Sequence, residues 1–177
     1  LDLLRRRGAR ARVSLERICR LSLAIIGAGL ATCAWHHSTT SGGIQLLVAG
    51  GNPWLVFGLW WGFWGVGIRL GLAGLSQIMK PDRTRKILEI DATDANQVVQ
   101  ELGYANLGMG LTALAIPFLP SWGVLLAVPG ALFLLLAGVR HIAKPGKKLA
   151  EQVATWTDLV VFLGVLAGVI GLAMVGW

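Results

Sequence analysis

The chain has no P-loop, no Gly-x-Ser-x-Gly elbow and no His-Glu-x-x-His helix, so hydrolysis and phosphoryl transfer lack their usual residues and no enzyme activity is expected. Charge is scarce at 14%, against 55% hydrophobic residues and a mean hydropathy of +0.66, which excludes an ordinary soluble domain. Cysteine is nearly absent. Cys19 and Cys33 would stand about 21 Å apart on one helix, too far for an internal disulfide. A signal peptide is not expected, because the first apolar run leads into His36 and His37 without a small-residue cleavage site. The chain begins at Leu1 rather than Met, so residues are expected to precede it.

What remains is an all-α integral-membrane reading. A net charge of +7 does not point to nucleic acid, because the basic residues fall in three blocks separated by long apolar runs, which is a topology signal. The pattern predicts about five transmembrane helices, a four-helix core plus an N-terminal span, at about 15–35, 54–79, 98–119, 122–143 and 156–177. The N-terminus is expected inside and the C-terminus outside. Residues 1–20 form a basic cytoplasmic segment and 21–177 one bundle domain. Segment 80–97 is cytoplasmic, with a short amphipathic helix around 83–90 and Asp94 as N-cap of the third span. All sixteen Lys and Arg and all nine Asp and Glu then fall on the inner side. Trp35, Trp54, Trp122 and Trp177 mark the outer boundary and Trp156 the inner one, an independent signal. Whether the second span starts near Ile44 or Trp54 is left open.

Polar residues interrupt these spans at few places. Glu101 and Asn106 lie on the third; Gly103, Asn106, Gly110 and Ala113 share one face, and Glu101, Ala105, Gly108 and Thr112 the next. Asn106 fits either a hydrogen bond between helices or a functional site, since intramembrane polar groups are functional candidates. Arg69, Gln77, Arg140, His141 and Asp158 are expected at the same inner level, where Glu101 or Asp158 could pair with Arg140. Asp158 also reads as a residue capping the last helix together with Thr155, and His141 as either a titrating group or a C-terminal cation.

Gly58/Gly62, Gly67/Gly71 and Gly164/Gly168 have the spacing that lets helices approach closely, either within the bundle or against a partner. Phe57, Trp60, Trp61 and Trp64 form an aromatic band facing lipid or a neighbouring subunit. No metal or cofactor is expected. Cys33, His36 and His37 fall short of the four ligands of a closed zinc site, and a haem would want axial ligands on facing helices.

Glu101-Leu-Gly-Tyr-Ala-Asn106-Leu-Gly-Met-Gly110, followed by Gly138-Val-Arg-His141 and Asp158, resembles a family of small bacterial multi-span membrane proteins with an E-[LV]-G-x-A-N-L-x-x-G motif, loosely similar to DoxX-type four-helix proteins. The resemblance covers roughly residues 60 to 170 and implies a four-helix core with its polar site in the central helices. The chain departs from it at Ser76-Gln77, where the family carries a His before Pro-Asp, and at Lys144 to Lys148. The expected function is a non-catalytic accessory or scaffold subunit of a larger inner-membrane complex, such as a lipid-uptake transporter or respiratory assembly. The alternative is a small transporter or lipid- or proton-handling protein. Expected partners are membrane lipids, with anionic headgroups at the basic inner face, and other integral-membrane subunits.

Overall fold

The computed structural model describes residues 20–33, 35, 52–87, 92, 94–118, 123–143, 146 and 149–176. The arginines before Arg20, Cys19, His36 and His37, the Pro120-Ser-Trp122 turn and most of the third basic block lie outside the described residues. Within them the chain is all-α. Helix α1 is Arg20–Cys33, α2 Pro53–Met79, α3 Pro81–Ile87, α4 Ala95–Leu114, α5 Gly123–Ala143 and α6 Leu149–Met174.

Three helices are long and apolar enough to cross a membrane: α2, α5, and α6 over Gln152–Met174. At 20 residues α4 has the length, but Gln97, Gln100, Glu101, Asn106 and Thr112 reduce its apolar character. The described part of α1 is apolar yet shorter than a span.

Helix α2 starts where its N-terminal donors find partners. The Asn52 carboxamide oxygen accepts from the amides of Trp54 (2.9 Å) and Leu55 (3.4 Å), and Pro53 fills the first position, where no donor is needed. The second helix therefore begins at Pro53 and not near Ile44. Its Asn52 Nδ2 also donates to Gly171 O at 3.3 Å, tying the start of α2 to the end of α6. At the other end Lys80 leaves helical geometry and Pro81 opens α3.

Midway, Gly62–Ile68 widens into a π-helical stretch without interrupting α2. Three helices press on this stretch, with Gly62 against Ala127 of α5, Gly65 against Val161 of α6 and Gly67 against Leu114 of α4. Val66, fully buried at its centre, meets Gly130. Helix α2 is thus the hub on which the other three pack, and the core of Leu59, Val66, Leu70, Ala113, Val124 and Val165 surrounds it.

Contact order along the helices fixes their directions. On α6, Gly168, Val161 and Asp158 meet Gly58, Gly65 and Arg69 of α2, so the two run antiparallel. On α4, Gly103 and Gly110 meet Gly74 and Gly71, again antiparallel. Ala127 and Gly130 of α5 meet Gly62 and Val66, which makes α5 parallel to α2. The result is an up-down-up-down bundle. Its C-terminal ends of α2 and α5 and N-terminal ends of α4 and α6 share one end, which carries Arg69, Lys80, Glu101, Arg140 and Asp158. Exposed Leu132, Leu136, Leu163 and Ile170 give α5 and α6 an apolar outer surface suited to lipid.

Two closures of the bundle require glycine. A Cβ on Gly58 would collide with the backbone of Gly168, and one on Gly110 would come within 2.5 Å of the Gly71 nitrogen. The expected glycine spacings are therefore filled inside the chain: Gly58, Gly62, Gly67, Gly71, Gly164 and Gly168 are all buried.

Three local expectations are corrected. Helix α3 opens at Pro81 rather than at 83, because Pro81 is favourable at a first helical position, while the expected end at 88–90 lies outside the described residues. Asp94 has helical backbone angles and its side chain makes no capping bond to α4. Helix α6 starts at Leu149, since 149–155 is rich in good helix formers, so Asp158 lies in the helix interior and does not cap it.

Helix α3 is held by a triangle of side chains. Arg85 Nε donates to Asn96 Oδ1 at 3.1 Å, Asn96 Nδ2 to Asp82 Oδ1 at 3.0 Å, and Arg85 Nη2 to Asp82 Oδ1 at 3.2 Å. Hydrogen bonds from Asn96 and then Arg85 hold the exposed Asp82 carboxyl below the usual carboxylate range. A depressed folded-state pKa means that its contribution is complete above the unfolded value of about 4 and is lost as pH falls through the lower, folded value. Protection of the 82–87 amides against hydrogen exchange, taken relative to the intrinsic rate at each pH, should therefore fall below about pH 4, and Asp82→Asn should show the lowered protection already at neutral pH. Equal exchange in both proteins across that range would contradict the triangle.

Candidate functional site

The buried polar side chains of the described residues are Asn106, Thr155 and Asp158. Two of them mark the contacts worth chemical attention.

Asp158 comes from α6, nine residues after its start, about 14 Å along the axis. Arg69 comes from α2, ten residues before its end, about 15 Å along. Because these helices are antiparallel with neighbouring ends, the two side chains arrive level. Arg69 Nη2 lies 2.5 Å from Asp158 Oδ1, and the side chains are only 20% and 7% exposed. The same nitrogen reaches the Ala154 carbonyl at 3.5 Å, one turn below Asp158. Opposite, Gly138 of α5 would place a Cβ 3.6 Å from that of Asp158. His141, one turn on from Gly138, shares its face, is half-buried and lies within electrostatic reach of Asp158.

Arg69 thus takes the role expected of Arg140. Residue 140 is turned about 100° from 141 on the helix, away from the face that Gly138 and His141 share, and Arg140 is exposed. Glu101 is exposed as well, and accepts from Gln97 Nε2 at 3.0 Å on its own helix. Of the six predicted polar residues, the fold gathers Arg69, Asp158 and His141.

Asn106 makes a separate contact. Its Nδ2 donates to Gln77 Oε1 at 2.8 Å across the α2–α4 seam, a bond of about 0.6 to 2 kcal/mol in such settings. Its Oδ1 is buried without a partner, as is Nε1 of Trp64.

The aromatic band divides. Trp61 is buried, stacks on Phe57 at 4.9 Å, lies against Gly164 and donates from Nε1 to the Val160 carbonyl at 3.1 Å. It is a core residue and not an outward anchor. Trp60 and Trp64 are half-buried and flank Phe63 edge-on, and Gly29 of α1 lies over Trp61 and Trp64.

The Gln77 partnership, the burial of Thr155 and the inward turn of Trp61 were not read from the sequence. The first had a signal, since Gln77 is a lone amide near the end of an apolar helix. The others depend on which face of each helix meets its neighbour.

The cluster therefore holds a carboxylate, a guanidinium and an imidazole where α2, α5 and α6 meet. No group of three or more His, Cys, Asp or Glu suited to a metal ion converges among the described residues. No protein family, curated protein or solved structure matches the chain.

Proposed function

We propose that the chain is a non-catalytic integral-membrane subunit of a larger bacterial inner-membrane complex, for example a lipid-uptake or respiratory assembly, and that it crosses five times with its charged end inside. It docks through the outer face of α4. The observation that carries this reading is that α4 packs into the bundle with its Gly103, Asn106, Gly110 face, yet leaves Gln97, Glu101, Ala105, Gly108 and Thr112 exposed. A Cβ on Gly108 would meet nothing within 4 Å.

Lipid tails offer Glu101 no partner, and small residues let a second helix approach closely. The occupant is a transmembrane helix of another subunit, itself lined with small residues and carrying a Lys or Arg level with Glu101. Charge complementarity selects it over a second copy of α4 in parallel, which would set Glu101 against Glu101.

Gentle extraction from native membranes, followed by mass spectrometry of what co-purifies, tests this. The wild-type chain is expected to retain an integral-membrane partner that both Gly108→Leu and Glu101→Arg lose while still eluting as folded protein. Leu132→Ala, on exposed α5, should keep it. A partner retained equally by all four proteins would overturn the reading, as would a wild-type chain that migrates alone.

The buried Arg69–Asp158 pair with His141 beside it supports a second reading, a small transporter or lipid- or proton-handling protein. Proteoliposome flux that survived in Arg69→Met/Asp158→Leu would overturn it.

A further inference from the structure

We propose that α3 is a binding site for the headgroups of anionic phospholipids, recognised through Lys80, Arg83 and Lys86. The inference goes beyond the docking role of α4 and holds with or without a partner subunit.

Its first support is the surplus of exposed cations on and beside α3. Asp82 and Arg85, three residues apart, share one side and are used up with Asn96 in the triangle that orients the helix. Lys80 stands at the junction of α2 and α3, Arg83 and Lys86 follow on α3, and Lys86, one turn on from Asp82, lies within its electrostatic reach without forming an ion pair. All three are exposed, and among the described residues no ion pair engages any of them. Asp82 Oδ1 already accepts from Arg85 and Asn96, so three exposed cations are left beside one engaged carboxylate.

Position supplies the second support. Met79, the last residue of the apolar α2, is 73% exposed, and Lys80 follows it directly. Pro81 starts α3 at once, so the cations stay within about two turns of the end of a helix of membrane-spanning length, at headgroup depth. The contacts of α3 with α4 and with the end of α2 keep this short helix at that level.

A third argument comes from chemistry. Ammonium and guanidinium groups donate several hydrogen bonds to phosphate oxygens and offer no acceptor. A phosphatidylglycerol headgroup satisfies them, whereas zwitterionic phosphatidylcholine brings its own cation. Each cation near an anionic leaflet contributes about 1 kcal/mol, about fivefold in affinity.

Native mass spectrometry of the full chain in a neutral detergent, titrated with equal amounts of phosphatidylglycerol and phosphatidylcholine, tests the site. The wild-type chain should retain phosphatidylglycerol preferentially. Lys80→Gln/Arg83→Gln/Lys86→Gln should weaken that retention on the order of 100-fold while eluting as the wild type does. The charge-preserving Lys80→Arg/Lys86→Arg variant should bind like the wild type. Equal retention by the triple variant, no preference between the two lipids in the wild type, or loss of binding in the charge-preserving variant would each overturn the proposal. Displacement of the lipid by millimolar inorganic phosphate would overturn it in favour of a soluble phosphate ligand.

Discussion

Arg69→Met is expected to destabilise the folded bundle by about 3 to 5 kcal/mol, and Asp158→Leu by a similar amount, whereas the double variant recovers most of the loss. The reason lies in where the pair sits. Asp158 is 7% exposed and Arg69 20%, so removing either partner strands the other charge in surroundings that water barely reaches. Removing both leaves two apolar side chains of similar reach at the junction of α2 and α6, which the bundle can pack. The Arg69–Ala154 bond is lost in Arg69→Met and in the double variant alike, so it does not produce the difference between those two. Thermal unfolding in a fixed detergent, followed by size-exclusion of the surviving monodisperse fraction, gives the comparison. Additive losses in the double variant would show that the two charges act separately.

Gly168→Val is expected to be comparably disruptive, because no rotamer relieves it. A Cβ at residue 168 would lie 2.5 Å from Gly58 Cα and 2.9 Å from the side chain of Val124. The obstruction is backbone, so α2 and α6 would have to separate along the seam that also holds Trp61 against Gly164 and Asn52 against Gly171. Overpacking of well-packed cores commonly costs about 1 to 3 kcal/mol, and backbone against backbone belongs at or beyond the upper end. Gly27→Ala is the control: nothing lies within 4 Å of its added Cβ, and replacing a mid-helix glycine should stabilise by about 0.5 to 1 kcal/mol. Both are read as shifts in melting temperature in the same detergent. A Gly168→Val protein that melted with the wild type would mean that the α2–α6 seam is looser than its geometry implies.

The consequence of these contacts is a change in where function is sought. The glycine pairs that could have served a partner interface close the bundle itself, and the buried charge pair is satisfied within the chain. Among the described residues, the exposed polar surfaces open to other molecules include the outer face of α4 and the cations on and beside α3.

Much of the architecture was legible in the residues. The distribution of charge separated apolar helices from charged turns, and Asn52-Pro53 marked the start of α2 once its capping bonds were seen. Asn106 was legible as a contact between helices, since an amide on a small-residue face has little else to bond. Asp158 was misread because its spacing from Thr155 imitates a cap, and only the start of α6 at Leu149 shows that it is internal. Trp61 was misread because a band of indoles is equally compatible with lipid and with core.

Composition and periodicity by themselves determined that the described residues are all helical and that some of the helices are long and apolar enough to cross a membrane, because hydrophobic run length and charge placement are local properties that each segment carries alone. The tertiary structure decided which residues meet. The choice of Arg69 over Arg140 as the partner of Asp158 and the filling of the glycine faces from within both depend on the rotation of each helix about its axis. That rotation is set by packing against neighbours distant in sequence.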